Sequence, residues 1–168
     1  NGPIEVAGSF TPNQHLEHFK VAARSDGNVI AGNSFFEKSG IVFAFSNDGN
    51  QISIQEMNTD GTITILSVKS YSLTSGTPYS FVGSLNGPQL SLSVNGTEEL
   101  TATSAYAAGD LVGFYSRESF GTSSSVDYIT VSQVADSGSI LPVAVLGLMA
   151  AMRLFPERKR FFSNSIRR

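Results

Sequence analysis

The sequence has 168 residues, 40% of them hydrophobic and 15% charged, with no cysteine, so it supports one folded domain plus a tail and excludes disulfide staples and thiolate metal sites. The net charge of −3 hides a split: residues 1–136 hold five Lys/Arg against thirteen Asp/Glu, a net −8, whereas residues 137–168 hold six against one, a net +5. An acidic body lacks the electrostatic footprint of a nucleic-acid binder, and a basic end that follows an apolar run points to a membrane boundary.

Residues 1–15 are rich in Gly, Pro, Asn and Ser and read as a loop or a truncated edge. The opening NGPIEVAGSF has no Met, no basic region and no apolar run, so no amino-terminal signal peptide is visible and a processed or truncated chain is expected. Residues 16–24 (LEHFKVAAR) fit a strand with Leu16, His18 and Lys20 on one side and Glu17, Phe19 and Val21 on the other, or a short helix; the strand is favoured. Residues 25–39 form a long turn-rich connection whose Val29, Ile30, Phe35 and Phe36 need cover.

From residue 40 to residue 103, short alternating apolar runs are cut by Asn-Gly, Asp-Gly and Gly-Pro punctuation. Ile52/Ile54, Ile63/Ile65 and Leu90/Leu92/Val94 recur every second residue, the period of a half-buried strand. Asn95-Gly96 carries the strongest turn signal, because a two-residue type I′ turn needs φ > 0 at both central positions and Asn-Gly tolerates it best. Residues 104–110 read as a crossover, residues 111–116 (LVGFYS) as a central strand apolar on both faces, residues 117–125 as a polar loop, and residues 126–131 (VDYITV) as the closing strand. Roughly nine short strands with hairpin signals predict an all-β, antiparallel two-sheet sandwich or jelly roll over residues 16–134.

Residues 135–168 change character: a linker, an uncharged run over residues 140–152 (ILPVAVLGLMAAM), and a basic cluster at Arg153, Arg158, Lys159 and Arg160. As a helix, that run spans roughly 20 Å against a hydrocarbon core of ~30 Å. Extending it to residues 138–155, with Arg153 snorkelling to the headgroups, makes a marginal span that keeps the basic end cytoplasmic and places the acidic domain outside.

Three stretches, SGIVFAFSNDGNQISI, PYSFVGSLNGPQLSLSVNGTEEL and GDLVGFYSRESFGTSSSVDYITVS, resemble the concanavalin A-like lectin/glucanase superfamily in its laminin-G-like or 3-keto-glycoside-hydrolase-like style. The resemblance covers about two thirds of the chain. Its motifs are the L-x-L-x-V-N-G strand at residues 90–96 and the closing G-x-x-x-G-F-Y at 109–115 with V-D-x-I-x-V at 126–131; they are turn and core chemistry, so they speak to fold more than to activity. The opening strand usual in such domains is missing or displaced, which implies an open edge. The tail, in turn, resembles bacterial PEP-CTERM sorting signals: Val134-Ala-Asp-Ser-Gly-Ser-Ile140 stands where V-P-E-P-G-S-x is usual, with Asp136 in the acidic place, Gly138 as the glycine, and Ala135 and Ser137 replacing both prolines. This likeness implies processing by an exosortase, a sorting protease; a plain membrane anchor satisfies the same physics.

Glucanases of the superfamily place E-x-D-x-E acids on one strand so that two carboxylates share a sheet face. No such triplet is present: Glu98 and Glu99 are neighbours on opposite faces of a strand, and Glu118 falls in a loop beside Arg117. A non-catalytic chain is therefore expected. His15 and His18 with Glu17 have metal-ligating chemistry, but a spacing of three puts the imidazoles on opposite strand faces, and two surface histidines are the favoured reading. Oxygen-rich turns at Asn47, Asp48 and Asn50 and at Asn58 and Asp60, with Asp127 in the last strand, offer a structural calcium its ligand type, yet Ca²⁺ takes six to eight oxygens and Asp-Gly turn chemistry explains them without metal; no other cofactor is expected. Asn95-Gly-Thr97 fits a glycosylation acceptor and is also the hairpin turn itself.

A sugar platform needs exposed aromatic faces beside polar groups. Tyr71, Tyr106, Tyr115 and Phe120, with Asn33, Arg117 and Glu118, are the available pieces, and no tryptophan adds to them. The expectation is an exported, envelope-associated module, at the outer cell surface or processed and released, that binds glycan or extracellular matrix. A hydrolase acting on a (3-keto-)glycoside and a purely structural coat protein are the alternatives.

Overall fold

The computed structural model describes residues 2–14, 16–25, 39–58, 60–106, 109, 111–118 and 124–133. Ten strands run in chain order: β1 (Ile4–Thr11), β2 (Leu16–Ser25), β3 (Gly40–Ser46), β4 (Gln51–Met57), β5 (Ile63–Ser70), β6 (Tyr79–Asn86), β7 (Gln89–Val94), β8 (Thr97–Thr103), β9 (Leu111–Glu118) and β10 (Ser125–Gln133). They form two antiparallel sheets of five, ordered β10-β1-β6-β7-β8 and β5-β4-β3-β2-β9, which is the expected all-β sandwich. The expected carboxyl-terminal helix lies outside the described residues, and among the described residues no helix is long and apolar enough to cross a membrane.

Local chemistry accounts for the meander. Asn95 and Gly96 both adopt positive φ, 50° and 78°, as a type I′ turn requires, and the Asn95 carboxamide oxygen accepts from the Ser80 amide at 2.9 Å, tying the hairpin to β6. Gly61 and Gly87 supply positive φ at two other hairpins. Between β3 and β4 the left-handed position falls on Asn50, whose backbone amide donates to Asn47 at 3.1 Å.

Alternation buries one face of each sheet. Phe43 and Phe45 of β3, Ile52 and Ile54 of β4, Phe81 and Leu85 of β6, and Leu92 of β7 are all at most 1% exposed and meet between the layers. At the centre the Phe10 ring stacks on Phe19 at 4.5 Å and lies 5.0 Å from Phe45, 6.0 Å from Tyr79 and 6.4 Å from Phe81. At the β5/β8 side, Lys69 of one sheet is ion-paired with Glu99 of the other.

Four sequence expectations change. The loop expected over residues 1–15 contains β1, which pairs on both sides, with β10 and β6, and brings the strand number to ten. Gly and Ser weakened its pattern, because Gly8 takes an inward position under the Phe81 ring, where an apolar side chain would have signalled a strand. Second, the stretch read as a central strand is β9, an edge strand among those described, with Leu111 57% and Phe114 53% exposed. Third, β9 extends through Glu118, which was expected in a loop. Finally, a register shift between Leu16 and His18 separates residues expected on one side: Leu16 is buried in the core while His18 faces outward.

Candidate ligand-binding face

The outward face of the second sheet follows from register. Because Ile41, Phe43 and Phe45 point into the core, Val42, Ala44 and Ser46 point away from it. Cross-strand pairing then aligns Arg117, His18, Ser46 and Gln51 in one row, Tyr115, Lys20, Ala44 and Ser53 in the next, and Gly113, Ala22, Val42 and Gln55 in a third. Val42 and Met57 are each 1% exposed and join Ala22 and Ala44 in a second apolar cluster on this face, so its middle is closed. The first two rows, at the β9 and β2 end, are half-buried and reachable.

Four side chains there form a block of two adjacent cross-strand pairs. The Tyr115 ring meets the His18 imidazole edge-on at 6.0 Å, and the Lys20 ammonium stands 5.3 Å from the Tyr115 ring centroid. Arg117 Nε donates to the Glu17 carboxylate at 2.6 Å, a contact that the bulge permits by turning Glu17 toward β9. Two buried polar atoms on the same face, the Tyr115 hydroxyl and Gln55 Oε1, have no hydrogen-bond partner among the described residues. Gln55 Nε2 donates to Ser53 Oγ at 2.8 Å, so only one side of its carboxamide is satisfied. A flat, half-buried aromatic beside polar and cationic side chains can stack on an apolar ring face and hydrogen-bond its polar rim.

The structure brings Tyr115 and Arg117 together on β9 and places Tyr71 and Tyr106 elsewhere. Tyr71, after β5, packs against the core and meets Tyr79 at 6.2 Å, with its backbone amide held by Asn50 at 2.7 Å. Tyr106, after β8, also packs on the core; its amide donates to Ser104 Oγ at 2.9 Å, and Ser104 donates to Glu56 at 2.6 Å. The Tyr106 carbonyl accepts from Arg24, a 4% exposed guanidinium at φ 52° whose pKa is lowered by burial. Asn33 and Phe120 lie outside the described residues, as do His15, Asp136, Gly138, Arg153, Arg158, Lys159 and Arg160, and Glu118 is placed only as the last position of β9. His18 and Lys20 were missed as partners of Tyr115, and Glu17 as a partner of Arg117; the alternation in LEHFKV was a usable signal for the first two, but not for which strand lies beside them.

Asp48 sits in the β3–β4 turn and Asp127 in β10 of the other sheet, where it accepts from Ser9 Oγ at 2.9 Å. Among the described residues no three His, Cys, Asp or Glu side chains converge on a metal position.

Tyr71 has a raised pKa, first through burial and then through Glu99 and Tyr79, with Lys69 opposing. Its proton is held more tightly in the folded chain, so the stability it contributes is complete below the ordinary value of 10.0 and is lost as pH rises through the folded value. Urea midpoints of the parent chain are expected to fall more steeply than those of Tyr71→Phe as pH rises from 10.0 towards the folded value; parallel curves there would refute the assignment.

The sequence matches no protein-family model and no curated protein at significance. Solved structures do share its architecture. A carbohydrate-binding module (CBM66) from Bacillus subtilis is similar at TM-score 0.56 and 8% identity, covering 78% of this chain and 75% of that one. Ligand-free congerin I is similar at TM-score 0.55 and 13% identity, covering 77% and 90%. Sheep galectin-11 in complex with glycerol is similar at TM-score 0.54 and 8% identity, covering 78% and 90%. At these identities the likeness establishes the sandwich fold.

Proposed function

We propose that the chain is an exported, non-catalytic β-sandwich module that binds glycan through the β9–β2 end of its outward face. The observation that carries this reading is the Tyr115 ring set among His18, Lys20 and Arg117 on a half-buried, hydrogen-bonding sheet surface. The similar structures lend support, since one is by name a carbohydrate-binding module. Against hydrolysis stands the need for two carboxylates facing one bond about 5–9.5 Å apart. Glu17 is instead engaged by Arg117, and Glu99 by Lys69. Matrix polysaccharide is the partner class, and the apolar run at residues 140–152 with its basic cluster is the proposed envelope attachment, retained as an anchor or removed by a sorting protease.

A glycan array paired with a turnover assay tests the reading. Binding without product release is expected, and Tyr115→Ala is expected to weaken it at least tenfold, equivalent to about 1.4 kcal/mol. Product release, or undiminished binding by the variant, would reject it. Mass spectrometry of the protein from its native cells decides the tail's fate: loss of residues beyond about 136 indicates sorting, and an intact terminus in membranes indicates anchoring.

A further inference from the structure

We propose that two copies of this chain join edge to edge through β10, antiparallel about a two-fold axis that passes through Thr130. The proposal stands apart from the glycan reading. Its ground is the difference between the edges. Of the four edge strands among those described, three carry the charges and bulges that keep a sheet edge from pairing. β8 presents Glu98 and Glu99, and its register against β7 shifts between Leu92 and Ser93. β5 sends Lys69 to Glu99 of the other sheet, and its register against β4 shifts between Ile54 and Gln55. On β9 the register shifts near both ends, and the regular run over residues 113–117 finishes on Arg117. β10 has neither device over residues 128–133 (YITVSQ), which hold no charge and pair without interruption with residues 4–9 of β1. No described strand takes the other side of β10, so a row of backbone N–H and C=O groups faces away from β1.

The same flank is open between the layers. Phe114 pairs with Val21 and Val131 with Val6, and both of those partners are fully buried. Opposite residues of an antiparallel pair share a face, so Phe114 and Val131 also point inward. Each is nevertheless 53% exposed, and Tyr128 on the outward side of β10 is 50% exposed. Those three leave roughly 300 Å² of apolar side chain uncovered, which with a strand edge about 20 Å long approaches the ~800 Å² that each partner buries in a standard interface.

A second copy fits this edge by register and by charge. With Thr130 on the axis, the inward Ile129 meets Val131 of the partner subunit and the outward Tyr128 meets Ser132 of the partner subunit, so apolar groups meet between the layers and hydroxyls outside. The body is acidic, with thirteen Asp/Glu against five Lys/Arg over residues 1–136, and self-pairing through β8 would set Glu98 and Glu99 against their own copies. Residues 128–133 bring no like charges together. Because the axis stands perpendicular to the joined sheet, both copies turn the outward face of the second sheet in one direction, and two Tyr115 rings address the same surface.

The chain has no cysteine, so a single introduced thiol reports the contact. Sedimentation velocity of the full chain, in mild detergent that keeps residues 140–152 solvated, is expected to show a dimer. Copper phenanthroline oxidation is expected to link Thr130→Cys covalently to its copy, because opposite residues of an antiparallel pair lie about 4.5–5.5 Å apart at Cα, within disulfide reach. Val68→Cys on β5, where Val68 is 51% exposed, is expected to link at least tenfold less. Thr130→Lys, which sets two ammonium groups against each other on the axis, is expected to raise the dimer dissociation constant at least tenfold. Should Thr130→Lys fail to fold, the cysteine pair decides alone. A parent chain that stays monomeric at the highest concentration it tolerates would overturn the proposal. So would equal linking through Val68→Cys, or a dimer that a folded Thr130→Lys leaves intact, which would place the association elsewhere. A blank glycan array leaves the dimer standing.

Discussion

Phe10→Ala is expected to cost about 3–5 kcal/mol, the range for removing a fully buried aromatic side chain. Phe10 has no exposed surface and touches rings from both sheets: Phe19 and Phe45 of the second, Tyr79 and Phe81 of the first. Its removal leaves a cavity at the point where the layers are joined, and the neighbouring rings, fixed in strands paired on both sides, collapse only partly into it. With a typical domain stable by about 5–15 kcal/mol, that loss is a large fraction of the whole, and at this chain length the melting temperature is expected to fall by about 10 °C. Urea denaturation of Phe10→Ala beside Phe10→Leu checks it; a midpoint shift no larger for alanine than for leucine would show that Phe10 does not join the sheets.

Gly83→Val is expected to be comparably damaging for the opposite reason. Gly83 lies on β6 directly beneath Phe43 of β3, so that a Cβ there would sit 2.3 Å from the Phe43 ring. Facing sheets stand about 10 Å apart, and here one aromatic ring fills that space without a partner side chain. Phe43 is fully buried and cannot swing to solvent, so overpacking forces either an off-rotamer ring or separation of the sheets, costing about 1–3 kcal/mol or more. Phe43→Leu is expected to recover much of the loss in the double variant, a coupling of more than about 0.5 kcal/mol between residues in contact. Gly113→Ala, with nothing within 4 Å of its added Cβ, is the control expected to leave stability nearly unchanged. Equal effects at Gly83 and Gly113 would mean that the Phe43 contact does not limit the interior.

Both residues show where sequence patterning succeeds and where it stops. Ile52/Ile54, Leu90/Leu92/Val94 and the Asn95-Gly96 turn announced strands and a hairpin because those signals are local: side-chain period and backbone φ act within a few residues. The same local logic lost β1, since Gly8 interrupts its inward apolar period for the sake of a ring contributed by β6. The candidate site was legible only in part. Tyr115 and Arg117 were visible as an aromatic and a cation, whereas Tyr71 and Tyr106, equally plausible by residue type, proved to be packing residues at the margins of the core.

By itself, then, the order of amino acids determined an all-β chain of short hairpin-linked strands, an acidic body and a chemically separate basic end, because alternation, turn chemistry and charge are properties of neighbouring residues. Tertiary structure alone decided that β1 pairs with β10, that β9 is an edge and not a centre, and that a bulge at Leu16/His18 turns Glu17 toward Arg117 and sets Lys20 beside Tyr115. Those contacts join segments far apart in the chain, and a period of two says which residues share a face without saying which strands lie side by side.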